Sequence, residues 1–167
     1  MGKVLSTFSN GWAGTPSRSA DEIIISMQAA SGRHIEFGEA VFMAADGRAE
    51  PFSTDTPQDF AAFVGFAVRV PDKTPMTVPE TPADDSPAAR WHADDVVEVL
   101  VRGAVALPAA VAGARGSRLY IRKSDGRLTT LAGEAGTTVE LANVRVKVPL
   151  DAQGGCCEAV VLERNLQ

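Results

Sequence analysis

Short β-strand segments separated by turn residues constrain the fold of this chain more than any other feature of its sequence. Val, Ile, Phe and Thr are concentrated in these segments, and Gly, Asp-Gly and Pro separate them. A period of two is clearest in Val64–Val70 and recurs from Val97 to Pro108, where we expect a bend or bulge at Gly103. No segment shows an apolar stripe at helical spacing. The pattern predicts an all-β fold, a single sandwich or barrel, and leaves the choice between these two open.

The length and charge of the chain exclude several classes of function. At 167 residues it is about one domain long and can bury a core without a metal or a disulfide. Its net charge is −5 with a pI near 5.0, and no run of Lys or Arg forms the basic surface that nucleic acid requires. The N-terminus lacks a signal peptide, and no stretch of about 18 apolar residues could span a membrane. We therefore expect a protein made in the cytoplasm that binds neither nucleic acid directly nor a membrane.

Residues 1–20 are rich in Gly, Ser, Thr and Asn, which predicts an extended N-terminal arm followed by a β domain at 21–167. A free, solvated tail has little reason to carry large apolar side chains. Four such side chains lie in this segment, and they either pack back on their own domain or dock on a neighbour. These candidate interface anchors are Val4, Leu5, Phe8 and Trp12.

Residues 71–90 hold five of the ten prolines, a composition that favours extended, exposed backbone and disfavours strand pairing. A loop of this length within a compact domain is usually functional or flexible. Its apolar residues and the tryptophan that follows are a candidate second contact, formed by Pro75, Met76, Val78 and Trp91. Between two earlier strand segments, Asp46-Gly47 predicts a hairpin turn of type I′.

The sequence contains no set of residues positioned for chemistry. His34 and His92 are the only histidines, which excludes a metal site built from three or more of them, and no activated Ser or Cys motif accompanies His92 as a catalytic base. The acidic pairs at 84–85 and 94–95 do not fit the spaced pattern of calcium loops. Cys156 and Cys157 are adjacent, so a strand points them to opposite faces, and we interpret them as reduced. We predict no catalytic, metal or cofactor site, and no enzyme activity.

The arm with Ala13-Gly14 and several strand segments form one pattern that spans most of the chain. These segments are Asp21–Ser26 (DEIIIS), Ile35–Val41 (IEFGEAV), Phe63–Val68 (FVGFAV), Val96–Val105 (VVEVLVRGAV) and Gly116–Tyr120 (GSRLY). With this pattern the sequence resembles the capsid cement or decoration proteins of tailed bacteriophages, although its Pro-rich segment is longer than such proteins usually have.

The resemblance implies a small, jelly-roll-like β protein of the virion that binds the outside of the assembled head and holds major capsid protein subunits together. It implies a homodimer or homotrimer, the major capsid protein as partner, and no cofactor. It does not decide between dimer and trimer, or fix the position on the lattice. Two alternatives remain open: a carbohydrate- or receptor-binding β module of a phage fibre or tail that uses Trp91 and His92, and a hydrolase on a barrel fold with His92 as base.

Overall fold

A computed structural model describes residues 12–53, 62–70, 90–108, 113–133, 136–149 and 156–164. Within these ranges the chain is all-β, as the sequence predicted. The strands are β1 (Pro16–Gln28), β2 (Ile35–Glu36), β3 (Ala40–Met43), β4 (Ala49–Pro51), β5 (Phe63–Ala67), β6 (Arg90–Trp91), β7 (Val96–Pro108), β8 (Arg118–Arg122), β9 (Leu128–Thr129), β10 (Thr138–Val148) and β11 (Cys156–Val161). None of the described residues forms a helix long and apolar enough to cross a bilayer.

Nine of the strands form one strongly curled antiparallel sheet, a half-barrel. Its order is β4-β3-β5-β7-β11-β10-β8-β9, and β1 pairs with β7 as well. The remaining strands, β2 and β6, form a separate two-stranded ribbon in which Ile35 pairs with Trp91 and Glu36 with Arg90. Strand β7 therefore has three partners, since β1, β5 and β11 all pair with it.

The alternation along β7 divides its side chains between two apolar cores. Before the glycine, Val97 and Val99 belong to one core while Leu100 belongs to the other. Gly103 has a φ of 118°, and beyond it Val105 joins the core of Leu100. Strict alternation would have sent Val105 to the opposite core. The interruption that the sequence predicted at Gly103 is therefore present, and it changes which core the second half of the strand faces.

The hairpin between β3 and β4 lies where the sequence predicted it, but its turn type differs. Ala44 N–H donates to Arg48 O and Gly47 N–H donates to Ala44 O, each at 2.9 Å. Gly47 has a φ of 81°, whereas the φ of Asp46 is negative. Type I′ requires positive φ at both central residues, so that prediction was wrong. The loop has three residues with glycine in the left-handed position, and the Asp46 carboxylate accepts the Arg48 N–H at 3.1 Å.

Strand β1 begins at Pro16, within the segment that the sequence assigned to an extended arm. Its register against β7 shifts between Pro16 and Arg18, between Arg18 and Ile23, and between Ile23 and Ile24. Such irregularities break the period of two and explain why the sequence pattern shows no strand there. The Ser17 hydroxyl donates to the carboxylate of Glu158 on β11 at 3.0 Å, which ties the beginning of β1 to the sheet.

The two cysteines open β11 in different surroundings. Cys157 is buried in the core and Cys156 is half-buried, and no disulfide joins them. Burial raises the pKa of the Cys157 thiol to about 11, and the neighbouring Cys156 adds to the rise, while a backbone hydrogen bond partly opposes it. The Cys157 thiolate, which is the reactive form, is therefore scarce at neutral pH.

This difference predicts selective alkylation. In the folded chain at pH 8, iodoacetamide should modify Cys156 much faster than Cys157, because only about one Cys157 in a thousand would be ionised. In urea both should react at similar rates. Peptide mass spectrometry of the two samples gives the measurement. Similar labelling of both cysteines in the native chain would contradict the buried position of Cys157.

Candidate functional site

An exposed tryptophan stacks on an arginine at the root of the predicted arm. Trp12, one of the predicted anchors, is 71% exposed, and the guanidinium carbon of Arg69 lies 5.2 Å from its ring centroid. The same carbon lies 5.5 Å from the ring centroid of Phe37. Each cation–π contact is worth roughly 0.5–1 kcal/mol at an exposed site. The two contacts hold the Trp12 ring against the domain while most of its surface remains open to solvent.

The stack continues inward to the second tryptophan. Phe37 packs edge-to-face on Trp91 with 6.2 Å between ring centroids. Trp91 is 3% exposed, and its indole N–H donates to the Val68 carbonyl at 3.0 Å. Trp91 was predicted from the sequence to belong to a second contact surface. The structure places its ring in the core, where it supports Phe37 and fixes β6 to the segment that follows β5.

A β-turn places Trp12 on this surface. Thr15 N–H donates to Trp12 O at 3.0 Å, and Gly14 has a φ of 77° after a residue of negative φ, as a type II turn requires. Gly14 N–H donates to Ala106 O at 2.8 Å, and Arg69 N–H donates to Gly14 O at 2.9 Å. The backbone of the turn is therefore bonded both to β7 and to the residue that carries the stacked guanidinium.

The turn reaches this position because two glycines meet without side chains. A Cβ on Gly14 would lie 2.8 Å from both Ala67 O and Gly38 N, and a Cβ on Gly38 would lie 2.8 Å from Gly14 N. Real Cβ atoms do not approach backbone this closely. Gly38 N–H in turn donates to Ala67 O at 2.9 Å. The Ala13-Gly14 pair and the Gly38 bend, which are distant in sequence, therefore form one close backbone contact.

The predicted arm joins the domain close to the point where the Pro-rich segment begins. Residues 1–11 join the described chain at Trp12, and residues 71–89 lie between Val70 and Arg90. Trp12 stacks on Arg69, the residue before Val70. We call the surface formed by Trp12 and Arg69 the root surface. The sequence did not indicate this proximity. The other predicted contact residues and one acidic pair lie outside the described residues: Val4, Leu5, Phe8, Pro75, Met76, Val78, Asp84 and Asp85.

The two histidines come together on the β2–β6 ribbon, which the sequence did not indicate. The rings of His34 and His92 meet edge-to-face with 5.4 Å between centroids. The two carboxylates that follow His92 serve other contacts, since Asp95 accepts the His92 backbone N–H at 2.9 Å and Asp94 pairs with Arg48 at 3.3 Å. Among the described residues, no group of three or more His, Cys, Asp or Glu side chains is arranged to hold a metal ion.

Next to Gly38, the carboxyl group of Glu39 is largely buried. Burial raises its pKa from the ordinary 4.5 to about 7; the Glu36 N–H, which donates to Glu39 Oε2 at 2.9 Å, partly lowers the pKa, and the Glu36 charge raises it. The Glu39 carbonyl accepts the Ala67 N–H at 3.0 Å, so the residue is fixed beside the glycine contact. It borders a cavity of about 320 Å³ whose other charged or titratable side chains are Arg33, His34, Glu36 and Arg90.

The close glycine contact predicts a large cost for a single methyl group. Gly14→Ala should lower the free energy of unfolding by more than about 2 kcal/mol, because left-handed φ alone costs about 1–2 kcal/mol and the new Cβ must also displace backbone atoms. Gly32→Ala is the matched control, since Gly32 has a φ of 72° and nothing within 4 Å of an added Cβ. Urea unfolding measures both variants. Equal losses would show that the turn does not pack closely on the domain.

Glu39 predicts a pH dependence of stability. Its pKa is about 7 in the folded chain and near 4.5 when exposed, so the folded state binds more protons between these values. The free energy of unfolding should therefore fall as pH rises from about 4.5 to about 7, with a limiting slope of about 1.4 kcal/mol per pH unit. Glu39→Gln should remove this fall, and the control Glu36→Gln should keep most of it. Urea unfolding from pH 4.5 to 8 measures the slopes, and parallel curves for Glu39→Gln and wild type would contradict the assignment.

Comparison with known proteins identifies relatives of the whole chain. Residues 3–161 match the structural cement protein family described by E217 gp24 and Pam3 gp6. Among solved structures, a chain from the capsid of Myoviridae phage XM1 superposes with a TM-score of 0.69 at 17% sequence identity, covering 97% of this chain and 96% of that one. No curated protein sequence matches this chain. The structural likeness shows a shared fold, and the family match covers nearly the whole sequence.

The resemblance seen in the sequence is therefore confirmed by the family match. The chain belongs to the phage structural cement protein family, a non-enzymatic structural component of the phage capsid.

Proposed function

We propose that this chain binds the outer surface of the assembled phage head and stabilises the contacts between major capsid protein subunits. The observation that carries the proposal is the root surface. There a tryptophan with 71% of its surface exposed is held by Arg69. Residues 1–11 join the domain at this tryptophan, and the segment 71–89 begins two residues after Arg69. Membership of the cement protein family supports a role on the capsid.

The arrangement of Trp12 suits a binding anchor. Tryptophan offers a large apolar area with a polar N–H and is enriched among residues that dominate binding energy. The Arg69 contact and the Gly14 turn already restrict the position of its ring, so less conformational entropy is lost when a partner covers it. A partner that buries this ring gains apolar contact without first having to order it.

In this proposal the arm residues Val4, Leu5 and Phe8 extend the contact of Trp12 along the major capsid protein. The segment at 71–90, with Pro75, Met76 and Val78, supplies a second contact. Trp91 acts indirectly, through its packing under Phe37. The carbohydrate-binding alternative relied on Trp91 as an exposed platform, and its burial removes that support.

The stabilising effect follows from linkage. A ligand that binds the assembled lattice and not the free subunits shifts the equilibrium toward the lattice by its binding free energy at the working concentration. Self-association as a dimer or trimer would join several weak contacts through effective concentration. Strong individual contacts are therefore unnecessary for a cement protein of this kind.

The proposal predicts that Trp12→Ala weakens head binding without unfolding the chain. We expect at least a tenfold loss of affinity for heads that lack this protein, equivalent to about 1.4 kcal/mol. The melting temperature should change little, because the side chain is 71% exposed. Occupancy is measured by adding purified protein back to such heads, and stability by the temperature at which the heads release DNA.

Leu131→Ala is the matched control, since Leu131 is 60% exposed but follows β9, at the far end of the strand order. It should bind like wild type. A shorter chain lacking residues 1–11 tests the arm separately, because it keeps Trp12 and the turn. Unchanged occupancy and unchanged DNA release for both Trp12→Ala and the shortened chain would refute the proposed contact.

A further inference from the structure

Strand β1 has an open edge. One edge pairs with β7, and within the described ranges the other edge meets a neighbour only at its end, where Ala30 N–H donates to Ala49 O at 2.8 Å and Ala29 forms an isolated bridge with Ala49. The part of β1 before this point, Ile24–Gln28, keeps a regular register against β7. An unpaired edge of this kind is a template for another strand.

The backbone groups on this edge can be assigned from the hydrogen-bond pattern. Ala29 N–H donates to Asp95 O at 2.7 Å, which directs the polar backbone groups of Ala29 toward β7. Because these groups alternate in direction along an antiparallel strand, those of Ile24, Ser26 and Gln28 point away from β7. The open edge therefore presents donors and acceptors from three alternate residues.

The devices that usually protect such an edge are missing from this stretch. Proteins protect edge strands with charged side chains, proline or bulges. The register shifts of β1 all lie before Ile24, and Ile24–Gln28 contains neither a charged residue nor a proline. Asp21 and Glu22 lie ahead of the regular part. The exposed edge is thus regular, uncharged and of a length suited to pairing.

The side chains of β1 indicate incomplete burial at the same place. Ile23, Ile25 and Met27 pack against the core that contains Val97 and Val99, yet each remains partly exposed. On the other face Ile24 is 36% exposed. A further strand along the open edge would place its side chains beside those of β1 on each face and bury part of their apolar area, which stabilises by about 25 cal/mol per Å².

We propose that the open edge of β1 pairs with β1 of a second copy of this chain, antiparallel about a two-fold axis at Ile25. In this register Ile25 lies opposite its own copy, Ile24 lies opposite Ser26, and Ile23 lies opposite Met27. The same patch then serves on both subunits, as a two-fold interface requires.

The charges of β1 favour a second copy as the occupant. In the proposed register Glu22 lies opposite Gln28, so its carboxylate faces an amide donor and not another carboxylate. Apolar residues meet apolar residues on the face that packs on the core. The sequence of this strand is therefore complementary to itself, whereas a capsid protein strand would need a complementary sequence of its own. The inference does not depend on head binding and can be tested with the purified chain.

Ser26→Pro tests the pairing with least damage to the fold. The Ser26 N–H points away from β7, so proline removes an outward donor from each copy and leaves the β1–β7 bonds intact. Sedimentation velocity should show a dimer for wild type and for the control Ser26→Ala, and at least a tenfold higher dimer dissociation constant for Ser26→Pro. Amide exchange by NMR should show protection at Ile24, Ser26 and Gln28 that increases with protein concentration.

Ile24→Glu is the second variant, in case proline disturbs the strand. It introduces an exposed charge next to the axis and should also weaken the dimer, with an unchanged circular dichroism spectrum. A wild-type chain that stays monomeric at 100 μM, or a dimer that survives both substitutions, would overturn the proposal. A monomer in which Ser26→Pro reduces head occupancy would also overturn it, because the edge would then belong to a capsid protein strand.

Discussion

The pairing of β7 with three other strands is the interaction on which the rest of the structure depends. Its valines and leucines supply both apolar cores, and the left-handed Gly103 lets Val105 face the core that Leu100 also faces. A residue with a side chain at that position would meet the β1 backbone, since a Cβ would lie 3.1 Å from Glu22 Cα. One glycine thus determines both the division of the cores and the close approach of β1.

The position of the candidate site depends on the pairing of β7 with β1. Strand β1 follows β7 to its second half, and the turn before β1 bonds to Ala106 of β7 through Gly14 and Thr15. From there Gly14 reaches Arg69, which stacks on Trp12. The tryptophan is therefore presented by backbone hydrogen bonds and a glycine contact, with the cation–π interaction as a final restraint. The position of the Trp12 ring is therefore fixed by the sheet and not by the conformation of its own loop.

The sequence could predict what depends on local pattern. Strand β7 was predicted from Val97 to Pro108, one residue short of its observed start at Val96, and with its interruption at Gly103, because its alternating valines are visible in the sequence. The start of β1 was not predicted, since bulges remove the period of two before Ile24. The position of the Asp46-Gly47 turn was predicted correctly but its turn type was not, because the dipeptide indicates a hairpin without fixing the number of loop residues.

The candidate site could be predicted only in part, because its contacts join residues distant in sequence. Trp12 stood out as a large apolar residue in a polar segment, yet nothing in the sequence links it to Arg69 or Phe37. The approach of Gly14 to Gly38 and the meeting of His34 with His92 likewise depend on how distant segments of the chain are brought together in the fold. Trp91 shows the opposite case, a residue predicted on the surface that lies in the core. Tryptophan is common both at binding surfaces and in cores, and its burial with a hydrogen bond to the Val68 carbonyl shows which role it has here.

The root surface and the open edge of β1 have a common consequence for lattice binding. Trp12 precedes the first residue of β1, and the proposed two-fold axis lies at Ile25, so an antiparallel pair would carry its two root surfaces at opposite ends. An extended strand rises about 3.3 Å per residue, which limits the separation of the two ends of β1 in such a pair to about 60 Å, and the bulges shorten it. A rigid dimer with two binding surfaces at a fixed separation converts the second contact into an intramolecular one. It would then bind a lattice on which two matching sites recur at that separation far better than it binds a single free subunit, and this preference is the physical requirement for a cement protein.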